Sequence, residues 1–453
     1  MEQTEKLQLR SSPAKDATPE MGIRLGRALA MEYRKVVVGM DLMKSSPMMK
    51  NALISGLISS GADVIDVGTV SEPVIAMAAR MGDCAVYVNE FRQSDLVSGY
   101  LLIDTDGSLF GLDRIRHIEG NDGQEAPRPS YKSLGKVKEY YNATKDYNDA
   151  LLNATHNIAG GSVILNCNCG LSTDSAPQIL NSIKTDVICI NAQKDPNYIT
   201  NPLSIKEADI RQMRALVEAN AGSIGISLNR VGNLMRVFDE SGEPLNNQEV
   251  LGLLIMFLKP KKLVVPLDVS DLIPDIFTGK VTADVNSPYP APDPEKTELI
   301  MVQPSSEMIF KAMKESGAEL AYYDGGFVFN EPVCTPDAMH AAIILSQFTG
   351  MNDIRDIMKQ FPEYYSESKS YKFSCSREDF IRMMNANVQD VGPIKVLEDG
   401  CWRIDMNEGA FFVAFDNDQE DTINVVAESG DRVYLISMIE VIDGLMESCS
   451  SGQ

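Results

Sequence analysis

Short runs of β-branched and apolar residues alternate with segments of helical periodicity along most of this chain. Residues 35–41 (Lys-Val-Val-Val-Gly-Met-Asp) form such a run, and the helical segment before it begins at Thr18 and Pro19, which fit the N-cap and first helical positions. Similar apolar runs recur at residues 62–68, 84–88, 163–166, 186–190, 223–228 and 262–266. Strands that alternate with helices are typical of mainly parallel sheets covered by helices. The pattern therefore predicts an α/β protein.

The chain is too long for a single hydrophobic core. It has 453 residues, whereas domains usually hold 50 to about 200. The alternation restarts after a polar stretch at residues 119–128, and the last 80 or so residues instead contain hairpin-like β segments and a closing helix. We predict three similar mixed-sheet α/β domains at residues 1–150, 151–253 and 254–372, and a C-terminal α+β domain at residues 373–453.

Composition excludes several classes of partner. The net charge of −23 argues against nucleic acids and anionic membranes, because both attract basic surfaces. No apolar run approaches the roughly 18–20 residues that span a bilayer, and residues 1–16 lack the apolar stretch of a secretory signal. The eight cysteines are scattered, and the Cys167-x-Cys169 pair lacks a second pair or a His cluster. We expect a cytoplasmic protein with buried or incidental thiols.

Motif-like segments throughout the chain carry a family resemblance. They are residues 41–47, 62–68, 106–111, 201–221, 239–242, 314–318, 337–345, 399–400 and 409–428. These segments resemble the α-D-phosphohexomutases, the family of phosphoglucomutase, phosphomannomutase and phosphoglucosamine mutase. The resemblance implies four domains around a central cleft. It also implies a phosphoserine, a magnesium ion, a sugar-binding loop and a phosphate-binding loop, one from each domain.

The position that should carry the phosphoserine has lost its nucleophile. The family loop reads T-A-S-H-N-P, and residues 89–94 here read Asn-Glu-Phe-Arg-Gln-Ser. Phe91 falls at the serine position, and a phenyl ring has no oxygen to phosphorylate. Ser94 and Ser98 lie nearby, but either would replace the serine only if the loop shifted by several residues. We therefore predict no catalytic residue at this position.

The family's metal loop is altered in the same way. It reads D-G-D-A-D-R in the family and Asn-Arg-Val-Gly-Asn-Leu at residues 229–234. The three ligand positions are thus Asn229, Val231 and Asn233, whereas Mg²⁺ prefers charged oxygen ligands. Arg230 adds a positive charge where the ion would lie. The sequence predicts no metal ion and no other cofactor.

The two remaining family loops have also changed type. The sugar loop, G-E-x-S-G-H in the family, corresponds to residues 322–327, where Asp324 could bind sugar hydroxyls but fits turn chemistry better beside two glycines. The phosphate loop, R-P-S-G-T-E-P, corresponds to residues 415–421, which hold four carboxylates and no cation. The N-terminal motif G-T-S-G-I-R-G corresponds to residues 9–14, where Arg10 is the only cation. Phosphate binding in the family manner is not expected.

Three functional hypotheses follow from these substitutions. The first is a catalytically inactive relative that acts as a non-catalytic partner or regulatory subunit of an active mutase paralogue or another protein. The second keeps a sugar phosphate or nucleotide-sugar in the cleft, with Arg92, Arg230, Tyr322 and Asp324 as candidate contacts. The arginines could instead pair with neighbouring carboxylates. The third is an active phosphomannomutase or phosphoglucosamine mutase that uses relocated residues and Mg²⁺.

Overall fold

The computed structural model describes residues 18–92, 96–124, 129–155, 158–198, 207–277, 297–388, 394–397, 400–415 and 421–450. For residues 90–92, 96–98, 394–397 and 450 the backbone alone is described. All eight cysteines are free thiols. In this part of the chain, no helix has the length and apolar character that crossing a membrane requires.

The first ten elements build one helix-covered sheet. They are α1 (Pro19–Glu32), β1 (Lys35–Met40), α2 (Ser46–Ser59), β2 (Asp63–Thr69), α3 (Glu72–Ala78), β3 (Cys84–Arg92), β4 (Leu96–Ile103), α4 (Leu112–Gly120), β5 (Val137–Glu139) and α5 (Ala143–Ala154). The strand order is β4-β3-β1-β2-β5. Only the β3–β4 pair is antiparallel, so the sheet is mixed.

Local sequence explains how this sheet is covered. The Thr18 side chain accepts a hydrogen bond from the Met21 N–H and Pro19 opens α1, as predicted. Helices α1 and α2 pack with their backbones almost in contact. A Cβ atom on Gly26 would lie 2.4 Å from the carbonyl oxygen of Leu53, and one on Gly56 would lie 2.3 Å from that of Ile23. Glycine is therefore required at both crossing positions.

The next six elements form a second mixed sheet. They are β6 (Ser162–Asn166), α6 (Ala176–Ser182), β7 (Asp186–Ile190), α7 (Glu207–Ala219), β8 (Ser223–Leu228) and β9 (Met235–Phe238). The order is β7-β6-β8-β9, parallel except for β8–β9. All six residues of β8 are buried, as expected for a strand covered on both faces.

The rest of the chain contains both α/β and antiparallel segments. Its first elements are α8 (Asn247–Leu258), β10 (Lys262–Pro266), α9 (Leu272–Phe277), β11 (Glu298–Val302), α10 (Ser306–Ser316), β12 (Leu320–Tyr323), β13 (Gly326–Phe329), β14 (Thr335–Pro336), α11 (Ala338–Thr349) and α12 (Ile354–Met358). They are followed by β15 (Tyr365–Lys372), α13 (Arg377–Asn387), β16 (Ile394–Leu397), β17 (Cys401–Met406), β18 (Gly409–Phe415), β19 (Thr422–Ser429) and α14 (Arg432–Ser450).

The chain divides into two compact units. One comprises residues 1–247 and 319–355, and the other comprises residues 248–318 and 356–453. The first unit holds both mixed sheets, the antiparallel strands β12–β14 and the buried helix α11. The second holds the parallel pair β10–β11 and an antiparallel sheet in the order β15-β19-β18-β17-β16. Aromatic and aliphatic residues of this antiparallel sheet, α13 and α14 form one core.

The predicted fold class is confirmed, with one informative difference. Mixed α/β sheets and a C-terminal antiparallel sheet are present. However, the strand expected at residues 84–88 continues to Arg92 and pairs with β4 as a hairpin. The four domain boundaries stay a prediction, because the compact units follow a different division of the chain.

Candidate functional site

Buried polar side chains gather in the first compact unit near the carboxyl ends of β1 and β3. Asp41 follows β1, Tyr87 lies in β3, Glu72 begins α3, and Arg230 and Asn233 belong to the β8–β9 loop. We call these five residues the polar cluster.

Asp41 anchors the start of α2. The carboxylate accepts hydrogen bonds from the Met43 N–H and the Ser46 hydroxyl, and the backbone N–H of Asp41 donates to the Val88 carbonyl at 2.9 Å. Its second oxygen lies 3.5 Å from Nη2 of Arg230, in an ion pair whose two side chains are both largely shielded from solvent. The guanidinium expected to line a cleft is therefore paired with a carboxylate of the protein itself.

Glu72 is the most strongly perturbed acid of the polar cluster. Only 6% of its surface is exposed, and one carboxyl oxygen accepts a hydrogen bond of 2.9 Å from Nδ2 of Asn233. Burial raises the pKa of Glu72 to about 7, although the hydrogen bond from Asn233 acts in the opposite direction. The backbone N–H of Glu72 also donates to the Val231 carbonyl at 2.9 Å. Helix α3 and the β8–β9 loop are thus joined at two points.

Tyr87 is the member of the polar cluster that lies within the sheet, in β3. Its hydroxyl donates to the Val70 carbonyl at 2.9 Å. Burial raises its pKa well above the usual range, and the charges of Asp41 and Glu72 raise it further. The phenol is therefore neutral at physiological pH and serves as a hydrogen-bond donor.

The β8–β9 loop is closed by its own first residue. Oδ1 of Asn229 accepts hydrogen bonds from the backbone N–H groups of Gly232, Asn233 and Leu234 at 2.8, 3.0 and 3.2 Å. Nδ2 of Asn229 donates to Oδ1 of Asn233 at 2.6 Å. Gly232 has a positive φ of 80°, which a glycine adopts without strain. Both amide oxygens of the loop are consequently engaged inside the loop.

These residues do not fit the magnesium ion that the fold family implies. Oδ1 of Asn229 already accepts three N–H groups, Oδ1 of Asn233 accepts a fourth donor, and Val231 has no side-chain oxygen. Arg230 places a guanidinium beside them, held by Asp41. Because Mg²⁺ prefers carboxylate and water oxygens, the loop offers it no suitable ligand set.

The phosphoserine position is part of a strand. Phe91 pairs with Val97 and Arg92 with Leu96 across the β3–β4 hairpin. Ser94 lies outside the described residues. The neighbouring Asn89 is buried, and its Oδ1 has no hydrogen-bond partner among the described residues. Alternation along β3 places Asn89 on the same face as Tyr87, the face nearer α3.

The sugar-loop position is a tight β-hairpin. Tyr323 pairs with Gly326, and the two residues between them, Asp324 and Gly325, have φ angles of 47° and 79°. Positive φ at both central residues is characteristic of a type I′ turn, for which Asp-Gly is a preferred sequence. Asp324 thus lies at a turn position, while its role as a ligand contact stays a prediction. Tyr322 is buried, with its ring centroid 5.9 Å from that of Phe327.

The phosphate-loop position lies mostly outside the described residues, which omit 416–420. Its flanking residues belong to the second compact unit. The Phe415 ring packs against Phe380 and Trp402, and the Arg377 guanidinium lies 4.4 Å from the ring centroid. Residues 9–14 also lie outside the described part.

Sequence reasoning named Arg230, Asn229, Val231 and Asn233 but did not single out Asp41, Glu72 or Tyr87 as site residues. A glutamate followed by proline at the start of an apolar helix was the one available signal for Glu72. Ordinary helix capping explains that pattern equally well. The candidate ligand contacts Arg92, Tyr322 and Asp324 stay a prediction.

Comparisons with known proteins give a consistent picture. Residues 6–122 match the family model "Phosphoglucomutase/phosphomannomutase, alpha/beta/alpha domain I". The "Probable phosphoglucosamine mutase" of Methanosarcina acetivorans is 25% identical over 92% of this chain and 93% of its own length. Its Pyrococcus horikoshii counterpart is 25% identical over 81% and 80%.

Solved structures show the same fold. A phosphoglucomutase/phosphomannomutase family protein of Burkholderia thailandensis superposes with a TM-score of 0.78 at 17% identity, covering 97% of this chain and 95% of its own. Parafusin, a phosphoglucomutase of Paramecium, superposes with a TM-score of 0.69 at 10% identity, covering 98% and 96%. Residues 6–122 thus carry domain I of the phosphoglucomutase/phosphomannomutase family, and the chain as a whole shares the fold of these proteins.

Proposed function

We propose that this protein is a phosphohexomutase-family member that does not catalyse the mutase reaction and acts as a non-catalytic partner or regulatory subunit of another protein. The observation that carries the proposal is the closure of the β8–β9 loop. Its amide oxygens bond within the loop, and Arg230 pairs with Asp41. The position that holds a cation in the family is thus occupied by protein side chains.

Chemistry at the other family positions supports the same proposal. Phosphoryl transfer between sugar hydroxyls needs an oxygen nucleophile and positive charge that offsets the developing negative charge. Phe91 supplies no nucleophile, and the charge of Arg230 is largely offset by Asp41. With Arg230 paired to Asp41, the polar cluster holds no surplus positive charge that would favour a phosphorylated sugar.

The second candidate function is an active phosphoglucosamine mutase with relocated catalytic groups and Mg²⁺. Its support is the similarity to relatives named as probable phosphoglucosamine mutases over more than nine-tenths of their length. Ser94 and Ser98 are the serines nearest in sequence to the phosphoserine position. They are the residues that an active protein would have to use.

A direct assay distinguishes these two functions. The full chain would be incubated with glucosamine 6-phosphate, glucose 1-phosphate and mannose 1-phosphate, each with Mg²⁺ and a hexose bisphosphate activator. The Methanosarcina acetivorans relative would be the positive control. We expect no turnover above buffer and no phosphoryl adduct in the intact mass. Turnover and an adduct that both disappear in Ser94→Ala or Ser98→Ala would establish the active mutase instead.

A thermal-shift titration addresses ligand binding separately. Sugar phosphates and nucleotide-sugars at millimolar concentration would stabilise a protein that binds them in its folded state. Arg230 is largely offset by Asp41, so we expect no shift for the wild type with either class. A saturable shift that Arg230→Met abolishes would assign the polar cluster to an anionic metabolite.

A further inference from the structure

Exposed apolar side chains concentrate just before α5. Tyr131, Leu134, Val137 and Tyr141 are 80%, 46%, 44% and 81% exposed. They are four of the thirteen exposed large hydrophobic side chains among the described residues, although they fall within eleven positions. Single exposed apolar residues are ordinary, but a local concentration marks an interaction surface. We call residues 131–141 the β5 edge strip.

The β5 edge strip also carries three exposed lysines. Lys132, Lys136 and Lys138 are exposed, and none of them forms an ion pair with a carboxylate in the described part of the chain. Glu139 is the only acid of the strip, and it accepts a hydrogen bond from the Tyr141 hydroxyl. Within the strip itself, three lysines stand against one glutamate on a chain whose net charge is −23. The carboxylates of Asp63 and Asp146 also contact the strip, at the Lys136 N–H and the Tyr140 hydroxyl. Neither forms an ion pair with a strip lysine in the described part of the chain, so the lysine side chains stay available to an incoming acidic side chain.

The strip also offers unused backbone groups. Among the described strands, β5 ends its sheet and pairs only with β2. The Val64 N–H donates to the Lys136 carbonyl and the Tyr140 N–H donates to the Asp66 carbonyl, both at 2.8 Å. Alternation along a strand then turns the backbone groups of Val137 and Glu139 away from β2. An approaching strand would find two N–H donors and two carbonyl acceptors there.

We propose that the β5 edge strip docks an extended acidic segment of a partner protein, which adds as a strand beside β5. The lysines complement acidic side chains of such a segment, and Tyr131, Leu134 and Tyr141 supply apolar contact at its ends. Strand addition uses main-chain hydrogen bonds for affinity and side-chain contacts for specificity. A second copy of this edge is a poor occupant, since lysines on an edge strand repel their like.

The test uses defined peptides and the full chain. The probe is a fluorescein-labelled nine-residue peptide of alternating Glu and Val. One control peptide carries Lys in place of each Glu, and another carries a central Pro that prevents strand pairing. Fluorescence anisotropy gives the affinity, and hydrogen exchange reports the amides of Val137 and Glu139. We expect binding of the Glu-Val peptide alone and slower exchange of both amides.

Two variants test backbone pairing and charge complementarity separately. Val137→Pro removes an outward N–H without touching the β2 ladder, and the triple reversal Lys132→Glu, Lys136→Glu, Lys138→Glu inverts the charge. Each is expected to weaken the peptide about tenfold or more, as loss of a hydrogen-bonded edge or of charge complementarity would. The matched control reverses three other exposed lysines that form no ion pair in the described part of the chain, Lys44, Lys184 and Lys311, and is expected to leave affinity within about twofold.

Four outcomes would overturn the proposal. They are no binding of the Glu-Val peptide, equal binding of the Pro-containing peptide, equal loss in the matched lysine control, or a sedimenting dimer that Val137→Pro disperses. The last would assign the strip to a second copy of the chain. None of these outcomes depends on whether the protein is an active mutase, so the test is independent of the proposed function.

Discussion

The titration of Glu72 makes the stability of the folded protein depend on pH. Its carboxyl has a pKa of about 7 in the folded protein against an ordinary value of 4.5, chiefly because it is buried. The folded state therefore holds this proton more tightly than the unfolded state does. Glu72 imposes no stability penalty below about pH 4.5, and its penalty grows as the pH rises to about 7 and then levels off. Glu72 also acts on Tyr87, whose pKa its charge helps to raise.

Glu72→Gln is expected to remove this pH dependence. Glutamine keeps an oxygen for the hydrogen bond from Asn233 but carries no proton to lose. The stability difference between variant and wild type should grow by about 1–3 kcal/mol in favour of the variant between pH 5 and pH 8. Urea unfolding at both pH values measures it, with the exposed Glu218→Gln as control. A difference that is constant with pH would contradict the assigned pKa.

The Arg230–Asp41 pair is expected to stabilise the folded protein only as a pair. Arg230→Met leaves a buried carboxylate without its cation and should cost about 3–5 kcal/mol. Asp41→Asn keeps an acceptor for the Met43 N–H and the Ser46 hydroxyl, so the double variant should recover at least about 1 kcal/mol of that loss. Urea unfolding of both single variants and the double variant gives the coupling. Simple additivity would mean that the two charges do not interact.

Residue types alone were enough to predict what the family positions cannot do. Phe91 lacks an oxygen and Val231 lacks a ligand atom wherever they are placed. What these positions do instead depends on partners distant in sequence, such as Arg230 and Asp41, which are 189 residues apart. The pKa of Glu72 likewise arises from burial, which one sequence does not display.

At the scale of elements, the turn of the β12–β13 hairpin allows the structural role of Asp324 to be tested. Gly325 has φ 79° and Asp324 has φ 47°, conformations that Gly, Asn and Asp adopt most readily. Gly325→Ala should cost about 1–2 kcal/mol, whereas Asp324→Asn should change stability by less than about 0.5 kcal/mol. Thermal unfolding checks both values. Destabilisation by Asp324→Asn as large as that by Gly325→Ala would contradict the turn assignment.

The positions of strands were predictable where a short run of apolar residues is also buried. Strands β7, β8 and β10 occupy the predicted residues, because a short apolar run between polar turns has few alternatives. The β3–β4 hairpin was missed beyond Val88. Its polar residues Asn89, Glu90 and Arg92 resemble a loop, and only pairing with β4 keeps them extended.

At the scale of the whole molecule, the first compact unit draws on two separate parts of the chain. Helix α11 belongs to residues 319–355, yet it lies against the second mixed sheet. The Gly161 N–H donates to the Ser346 carbonyl at 2.7 Å, and the Ala338 N–H donates to the Gly232 carbonyl at 3.2 Å. Tyr147 also donates to the Asp337 carboxylate that caps α11. A chain of residues 1–247 alone therefore lacks α11, the helix that packs against this sheet.

Fragments test this interleaving. A fragment of residues 1–247 should expose the apolar surface that Met339, Ile343 and Phe348 cover, all buried within the first unit. It is expected to bind a hydrophobic dye and to melt without a cooperative transition. The same fragment joined to residues 319–355 by a Gly/Ser linker should melt cooperatively, because α11 is restored. Circular dichroism and dye fluorescence compare the two. Cooperative melting of residues 1–247 alone, at the same midpoint, would show that α11 is dispensable and that the first unit can be defined without residues 319–355.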